Sequence, residues 1–408
     1  MTPPPATLRI LALEPYFGGS HRAFLEGWSR DSRHRWTLLT LPPFHWKWRM
    51  RHSALTFARE VAALRQAAAG PWDLIFATDM LDLAQFLGLA PPALRALPTV
   101  AYFHENQLTY PVRREDPRDL HFAFTNFSTA VAADETWFNS RYHRRVFLSA
   151  LEELFRGLPE PRPGAEIEAL RRRSRVYPQG IEPQPPRPPR RPGPLRLLWA
   201  ARWEHDKNPR DLFAALDLLE ASGAEYRISV LGESFREVPE VFARGRERFR
   251  HRIDRWGYLE DVGDYRRALA EADVFVATAI HEFFGVSAAE AMAAGAFPLL
   301  PDRLAYPELL ARLPERLRRR HLYDGTAEDL ATRLTALARR VEGGKGESPG
   351  QLPGDPDSFV RAVEGFSWTH LRPRLDQALT EVRSEETVSE RCASTAPGPP
   401  PTGGDGSI

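Results

Sequence analysis

The chain has 408 residues, 42% of them apolar and 27% charged, with a formal net charge of +1. That length suits two domains, each with its own core, and a charge so near zero excludes a protein-wide field for nucleic acid, so any basic surface has to be local. The single cysteine, Cys392, lies in a polar tail, which excludes a disulfide framework, a thiolate metal site and a cysteine nucleophile in the folded part. The N-terminus lacks the apolar core of a signal peptide. No apolar run is long enough to span a bilayer. The expectation is a soluble, cytoplasmic protein. Only three lysines occur, Lys47, Lys207 and Lys345. Where arginine substitutes so freely, a retained lysine hints at a need for a compact ammonium.

Leu8–Leu13 reads as a strand. The loop from Glu14 through Gly18, Gly19, Ser20 and His21 follows, and Ser20 is placed to cap a helix to about Arg30. Strand, Gly-Gly loop and helix make the first unit of a doubly wound fold, or simply a tight turn. The three-glycine dinucleotide pattern is absent. Next, Phe44, His45, Trp46, Lys47, Trp48, Arg49 and Arg51 alternate aromatic with cationic character, ahead of a helical pattern to about Ala69. Aromatic faces stack on unpaired bases while cations hold phosphates. A half-buried strand with one aromatic and one charged face has the same spelling. Further strands read at 73–78, 99–103, 134–138 and 175–177. Their polar ends include His104, Glu105, Asn106 and Gln107, well placed for a ligand at a sheet's carboxyl edge. Residues 182–194 are almost all Pro and Arg, an extended and solvated linker.

The alternation then restarts. Leu195–Ala200 is a strand, Arg202 and Lys207 follow it, and Pro209 suits a first helical position. Two cations beside a helix N-terminus can clamp a diphosphate. Strands at 227–231 and 253–256 end in Gly232-Glu233 and Gly257-Tyr258. The stretch 273–308 holds a strand, a loop with Glu282, Phe284, Gly285 and Val286, and an Ala-rich helix opening on Ser287-Ala-Ala-Glu290. By spacing alone Glu290 caps its own helix. Set beside Arg202 and Lys207, it becomes a ligand for sugar hydroxyls, with Ser287 as the cap. Residues 341–357 form a flexible connection, 366–385 a last amphipathic helix packing back towards the first domain, and 386–408 a disordered tail.

Arg202, Lys207, Gly257-Tyr258 and Glu282…Glu290 around Phe284-Gly285 resemble the retaining, family-four-like glycosyltransferases. That resemblance implies a GT-B fold: two Rossmann-like α/β domains, 1–180 and 195–365, facing each other across a cleft. The segments 14–21, 45–55, 102–111, 202–207, 256–259 and 281–285 resemble, more narrowly, the tRNA-queuosine α-mannosyltransferase family, over about residues 8–383. The resemblance implies transfer of mannose from GDP-mannose to queuosine at the wobble position of tRNA-Asp, with retention of configuration. It places Gly18, Gly19, Arg202, Lys207, Gly257, Tyr258, Glu282, Phe284, Gly285, Val286 and Glu290 at the donor. His104, Glu282, Arg202 and Lys207 are its catalytic set. The acceptor side comprises His21, His45, Trp46, Lys47, Trp48, Arg49, Arg51, Glu105, Asn106 and Gln107. GDP-mannose is a co-substrate, no cofactor or metal is expected, and tRNA is the partner, with no membrane. Two alternatives stay open on the residues: a related enzyme with a lipid, polysaccharide or small-molecule acceptor, and a non-catalytic RNA-binding protein on the same scaffold.

Overall fold

The computed structural model describes residues 6–66, 72–111, 119–234, 238–343 and 352–383. The 386–408 tail and residues 344–351 of the expected 341–357 connection lie outside them. Twelve strands follow in chain order: β1 (Arg9–Glu14), β2 (Arg35–Thr40), β3 (Leu74–Thr78), β4 (Thr99–Phe103), β5 (Glu135–Phe138), β6 (Ser174–Val176), β7 (Leu195–Ala200), β8 (Tyr226–Leu231), β9 (Ile253–Gly257), β10 (Val274–Val276), β11 (Phe297–Pro301) and β12 (Leu322–Tyr323). They form two parallel sheets, ordered β2-β1-β3-β4-β5-β6 and β12-β11-β10-β7-β8-β9. β3 and β4 are buried along their whole length, as parallel strands covered by helices on both faces must be. β2 is an edge strand, exposed or half-buried throughout, and its mixed spelling hides it from an apolar-run search. Each sheet reverses its order once, between β1 and β3 and between β7 and β10. The crevice at the carboxyl ends beside such a reversal is where open α/β sheets bind ligands.

One face of the first sheet is covered by the last helix, Trp368–Val382. Its Trp368, Leu371, Leu375 and Leu379 share a core with Phe24, Trp28, Phe76 and Trp137. The apolar contact carries a buried polar lock. Asp376 accepts from Trp28 Nε1 at 2.7 Å, Ser32 Oγ at 2.7 Å and the Arg33 amide at 2.9 Å. Gly180 is needed where it stands, because a Cβ there would lie 2.4 Å from the Trp368 ring. Ile181 exchanges backbone bonds with Phe366 and Trp368 at 2.9 and 3.1 Å.

The Pro/Arg segment departs from the solvated linker expected. Arg190 lies 3.0 Å and Arg187 3.7 Å from the buried carboxylate of Asp273, and Arg187 also donates to the Ala272 carbonyl at 2.6 Å. Extended backbone leaves those side chains free to reach the second domain, and Asp273, buried at the foot of β10, requires a counter-charge.

Candidate active site

The carboxyl ends of both sheets open on one cleft of about 630 Å³. Of the residues singled out in the sequence, Gly18, Gly19, His21, Trp46, His104, Glu105, Gln107, Arg202, Lys207, Glu282, Phe284 and Val286 line it. The first domain contributes the segments after all six of its strands, the second those after β7, β8 and β10.

On the second-domain wall the charges are paired before any ligand arrives. Lys207 Nζ lies 3.2 Å from Glu282, 3.2 Å from Asp206 and 3.1 Å from the His281 carbonyl. Burial works against the ammonium, yet Glu282 and Asp206 outweigh it and raise the Lys207 pKa. Burial likewise opposes the Glu282 carboxylate, and Lys207 with the Phe284 amide more than offsets it, so its pKa falls. His281 is pushed down to about 4 by burial and by Lys207, so it stays neutral. Arg202 donates to Tyr110 of the first domain at 3.2 Å and pairs with Glu204 at 3.3 Å.

Helix Val286–Ala293 opens on Gly285 in the left-handed region (φ 92°), with no side-chain cap. Ser287 is therefore not the cap expected of it, and Glu290 forms no capping box. Glu290 instead accepts from the Tyr265 hydroxyl at 2.8 Å. Burial pushes its pKa up to about 7 against the pull of that hydrogen bond. Gly257 ends β9 in the left-handed region (φ 100°), and Tyr258 beyond it is 64% exposed. Gly257, Tyr258, Gly285 and Glu290 flank the cleft without lining it.

The first-domain wall is built from histidines. His21 Nδ1 lies 3.0 Å from Glu14, and its ring stacks on that of His104 at 4.0 Å. Burial disfavours the His21 cation, but Glu14, Asp79 and Glu105 raise its pKa to about 9. His104 is held neutral by burial and by the charge of His21. With the Gln179 amide nitrogen donating to His104 Nδ1 at 2.6 Å, the ring carries its hydrogen on Nε2. That atom is buried and has no partner among the described residues. Asp79 accepts from the His104 amide at 2.8 Å, and burial raises its pKa to about 8. Helix Gly19–Ser29 has Gly18 as N-cap residue and no side-chain cap, so Ser20 does not fill the capping role assigned to it. Two helix N-termini with free N–H groups therefore open beside the cleft, the arrangement that favours anions.

Two features of the acceptor side were not legible in the sequence. Asn106 is wholly buried, and its side-chain oxygen accepts from Leu108, Thr109 and the Thr109 hydroxyl. Its oxygen shapes the loop, while its Nδ2 is buried without a partner among the described residues. The aromatic–cationic segment is not a strand but the start of helix Trp46–Gln66. Met50, Ala54, Phe57, Ala58 and Val61 bury at helical spacing, which decides the form. Trp46 faces the cleft. Trp48 and Phe44 are 62% and 52% exposed, Arg49 lies over the Phe44 ring and Arg51 over Phe122. His45 takes the left-handed region (φ 55°), and His45 and Lys47 are exposed at the helix start.

Sequence reasoning passed over Glu14, Tyr110, His143, Tyr265 and Phe283. His143 and Phe283 stack across the domains at 3.9 Å, and the Arg141 amide donates to Glu308 at 3.0 Å. No local pattern marks such contacts, because each partner lies on the other sheet. Glu14, His21 and His104 bring one ligand atom each within 4.8 Å. An ion there would have to replace the proton joining Glu14 to His21.

Two doubly wound domains with paired charges across their facing carboxyl edges define a GT-B glycosyltransferase. The solved structures agree on the fold. HepE of Anabaena in complex with UDP superposes with a TM-score of 0.60 at 14% identity, over 92% of this chain and 100% of that one. Sucrose-phosphate synthase from Thermosynechococcus elongatus gives 0.64 at 15% identity, over 92% and 99%. Residues 194–340 match the model of glycosyl transferases group 1, and residues 9–181 that of the tRNA-queuosine alpha-mannosyltransferase N-terminal domain. The tRNA-queuosine alpha-mannosyltransferase of Drosophila melanogaster is 34% identical over 315 residues, 74% of this chain and 81% of that protein. The chain belongs to the tRNA-queuosine alpha-mannosyltransferase family.

Proposed function

We propose that the protein transfers mannose from GDP-mannose to queuosine at the wobble position of tRNA-Asp, in the cytoplasm and with retention of configuration. The observation that carries this reading is the cleft itself. It sets Arg202, Lys207 and Glu282 opposite His21, His104 and Trp46, in a chain alike along both halves to one named tRNA-queuosine enzyme. No helix among the described residues is long and apolar enough to cross a membrane.

The donor diphosphate lies against Arg202, charged His21 and the free N–H groups of the two helix N-termini. Electrostatic stabilisation of a leaving diphosphate needs such donors fixed in advance. Lys207 holds Glu282 ionised, and Glu282 orients the sugar hydroxyls. His104 offers Nε2–H to the primary hydroxyl. Glu290, steadied by Tyr265, accepts from the ribose hydroxyls, and Tyr258 lies towards the base. In the reaction the bond from the anomeric carbon to the phosphate oxygen breaks. The acceptor hydroxyl oxygen bonds that carbon on the same face and passes its proton to the departing phosphate. No side chain is required as a covalent nucleophile, and no metal. Trp46, Trp48 and His45 stack on bases of the anticodon loop, while Lys47, Arg49 and Arg51 meet its phosphates.

Incubation with queuosine-containing tRNA-Asp and GDP-mannose, followed by mass analysis of the nucleosides, tests the reading. A gain of one hexose on queuosine is expected. UDP-sugars in parallel arms decide the donor base, and tRNA lacking queuosine should stay unmodified. An unchanged queuosine mass with every donor overturns the assignment.

A further inference from the structure

A second concavity, of about 650 Å³, is walled by six arginines: Arg141, Arg144, Arg145, Arg171, Arg172 and Arg175. It lies between the start of helix Arg141–Arg156 and the end of helix Gly164–Arg173, beside β6. The chain as a whole carries a net charge of only +1, so this is a strong local concentration. The two helices contribute to it on different terms. Cations in the last turn of the Gly164 helix complement its dipole and need no further reason. Arg171 and Arg172 there also pair with Glu168 at 3.4 and 3.5 Å, and Arg175 pairs with Glu135 at 3.3 Å.

The Arg141 helix is the opposite case. Its own first turn holds no acid, and although Glu308 of the second domain accepts from the Arg141 and Tyr142 amides, cations there stand against the positive end of the dipole. Among the described residues, Arg141, Arg144 and Arg145 form no ion pair with any carboxylate. Arg144 is half-buried, donating to Ser174 Oγ at 2.7 Å and to the Arg171 carbonyl at 2.6 Å. Burial, and then the like charges of Arg171 and Arg175, lower its pKa. Arg145 lies over the Tyr142 ring, so three guanidinia without a carboxylate partner are crowded together beside Arg171, Arg172 and Arg175. Asn139, two residues before Arg141, lines the catalytic cleft, so the arginine wall starts two residues along the chain from the cleft wall.

We propose that this arginine pocket binds the phosphate backbone of the tRNA whose modified base enters the adjoining cleft. The proposal rests on the tRNA reading above. Guanidinium groups match phosphodiester oxygens in a planar, two-toothed geometry, and six arginines beginning two residues from a cleft residue favour RNA over a protein partner. Together with the basic start of the Trp46 helix, the pocket makes a second backbone contact.

The test is the salt dependence of binding to queuosine-containing tRNA-Asp. Arg141 and Arg145 are exposed, so Arg141→Gln with Arg145→Gln should leave the melting temperature unchanged. If each contacts one phosphate, the slope of log affinity against log salt should flatten by about 1.4–1.8. The KM for tRNA should rise and that for GDP-mannose should not. Arg244→Gln with Arg361→Gln, which removes equal charge from an exposed helix and a distant surface, should leave the slope as it was. A slope unchanged in the Arg141/Arg145 variant, with tRNA still bound by the unaltered protein, overturns the pocket alone. An unaltered protein with no affinity for tRNA ends both readings. A slope that flattens equally in the control variant reduces the effect to overall charge, and the pocket is again overturned.

Discussion

The two walls of the cleft handle charge in different ways. On the second-domain wall Lys207 sits between Asp206 and Glu282, and Arg202 beside Glu204, each cation held by a carboxylate. The pKa shifts of Lys207 and Glu282 both strengthen the charged forms, so this wall keeps its state across the physiological range. The first-domain wall is made of groups that change state nearer neutrality. His21 is raised to about 9 and Asp79 to about 8, while His104 is kept neutral beside them. The cleft thus has a fixed wall on one side and a titratable one on the other. The pH response of the enzyme should therefore originate in the first domain and in Glu290, the one group of the second-domain set that lies near its titration point.

The largest effect that would break this comparison lies in the fixed wall. Lys207→Met removes the counter-charge shared by two carboxylates, leaving Asp206 buried and Glu282 half-buried without it. A loss of about 3–5 kcal/mol of stability is expected, together with turnover. Adding Asp206→Asn and Glu282→Gln should restore most of the stability, measured by denaturant unfolding, and none of the activity. Recovery of activity in that triple variant would show that charge balance alone was at stake and that Lys207 has no part in donor handling.

The titratable wall predicts a smaller and pH-specific effect. His21 has its pKa raised from 6.5 to about 9. Its pairing with Glu14 therefore contributes fully below pH 6.5, its unfolded value, and is lost as pH rises through 9. Turnover should fall along the same alkaline limb, since only charged His21 faces the diphosphate. Glu14→Gln removes the strongest influence raising the His21 pKa, so the limb should move towards neutrality, with activity at pH 8 down on the order of tenfold. A limb that stays in place would assign it to another group.

Glu290 sharpens the comparison from the other side. Its pKa, raised from 4.5 to about 7, means that it ionises only as pH rises through 7, so nucleotide affinity should weaken on the acid side of neutrality. Tyr265 opposes that shift through its hydrogen bond. Tyr265→Phe should therefore move the acid limb upward and raise the GDP-mannose KM at pH 7 on the order of tenfold, with kcat little changed. If Tyr265→Phe instead lowered thermal stability with both kinetic constants unchanged, the pair would be a structural contact of the core.

How much of this was legible in the sequence follows the same division. β3, β4, β7 and β10 are largely runs of apolar residues, and the strand-end positions of Arg202, Lys207, Glu282 and His104 follow from where β4, β7 and β10 stop. Local pattern reaches that far because a parallel sheet repeats one unit. It fails where the partner is distant. Glu14 reads as an ordinary loop acid until His21 is brought within 3.0 Å. Glu290 has the spelling of a capping box, which Arg202 and Lys207 argue against, but nothing local announces its hydrogen bond from Tyr265. Asn106 reads as a ligand at a strand end, yet three hydrogen bonds to its own loop use its oxygen. Arg187 and Arg190 look solvated in a Pro-rich segment, since nothing nearby announces Asp273. The Trp46 segment alternates like a strand over its first residues, and the burial of Met50, Ala54 and Phe57 further on decides for a helix.

The smallest expected effect is none at all, and it bears on the fixed wall directly. A nucleoside diphosphate leaving group needs positive charge, which a divalent ion or the protein can supply. Here Arg202, charged His21 and the free N–H groups of the Gly19 and Val286 helices converge on the cleft from both domains, and neither helix carries a side-chain cap. A capped helix would have spent those N–H groups on its own side chain. Turnover should accordingly be the same before and after extensive chelation, and added Mg²⁺ should leave it unchanged. Activity lost to a chelator and returned by a divalent ion would show that the paired cations of this wall are too far committed to their carboxylates to neutralise a diphosphate. The Glu14, His21 and His104 group, whose ligand atoms lie within 4.8 Å of one another, would then be the first place to substitute.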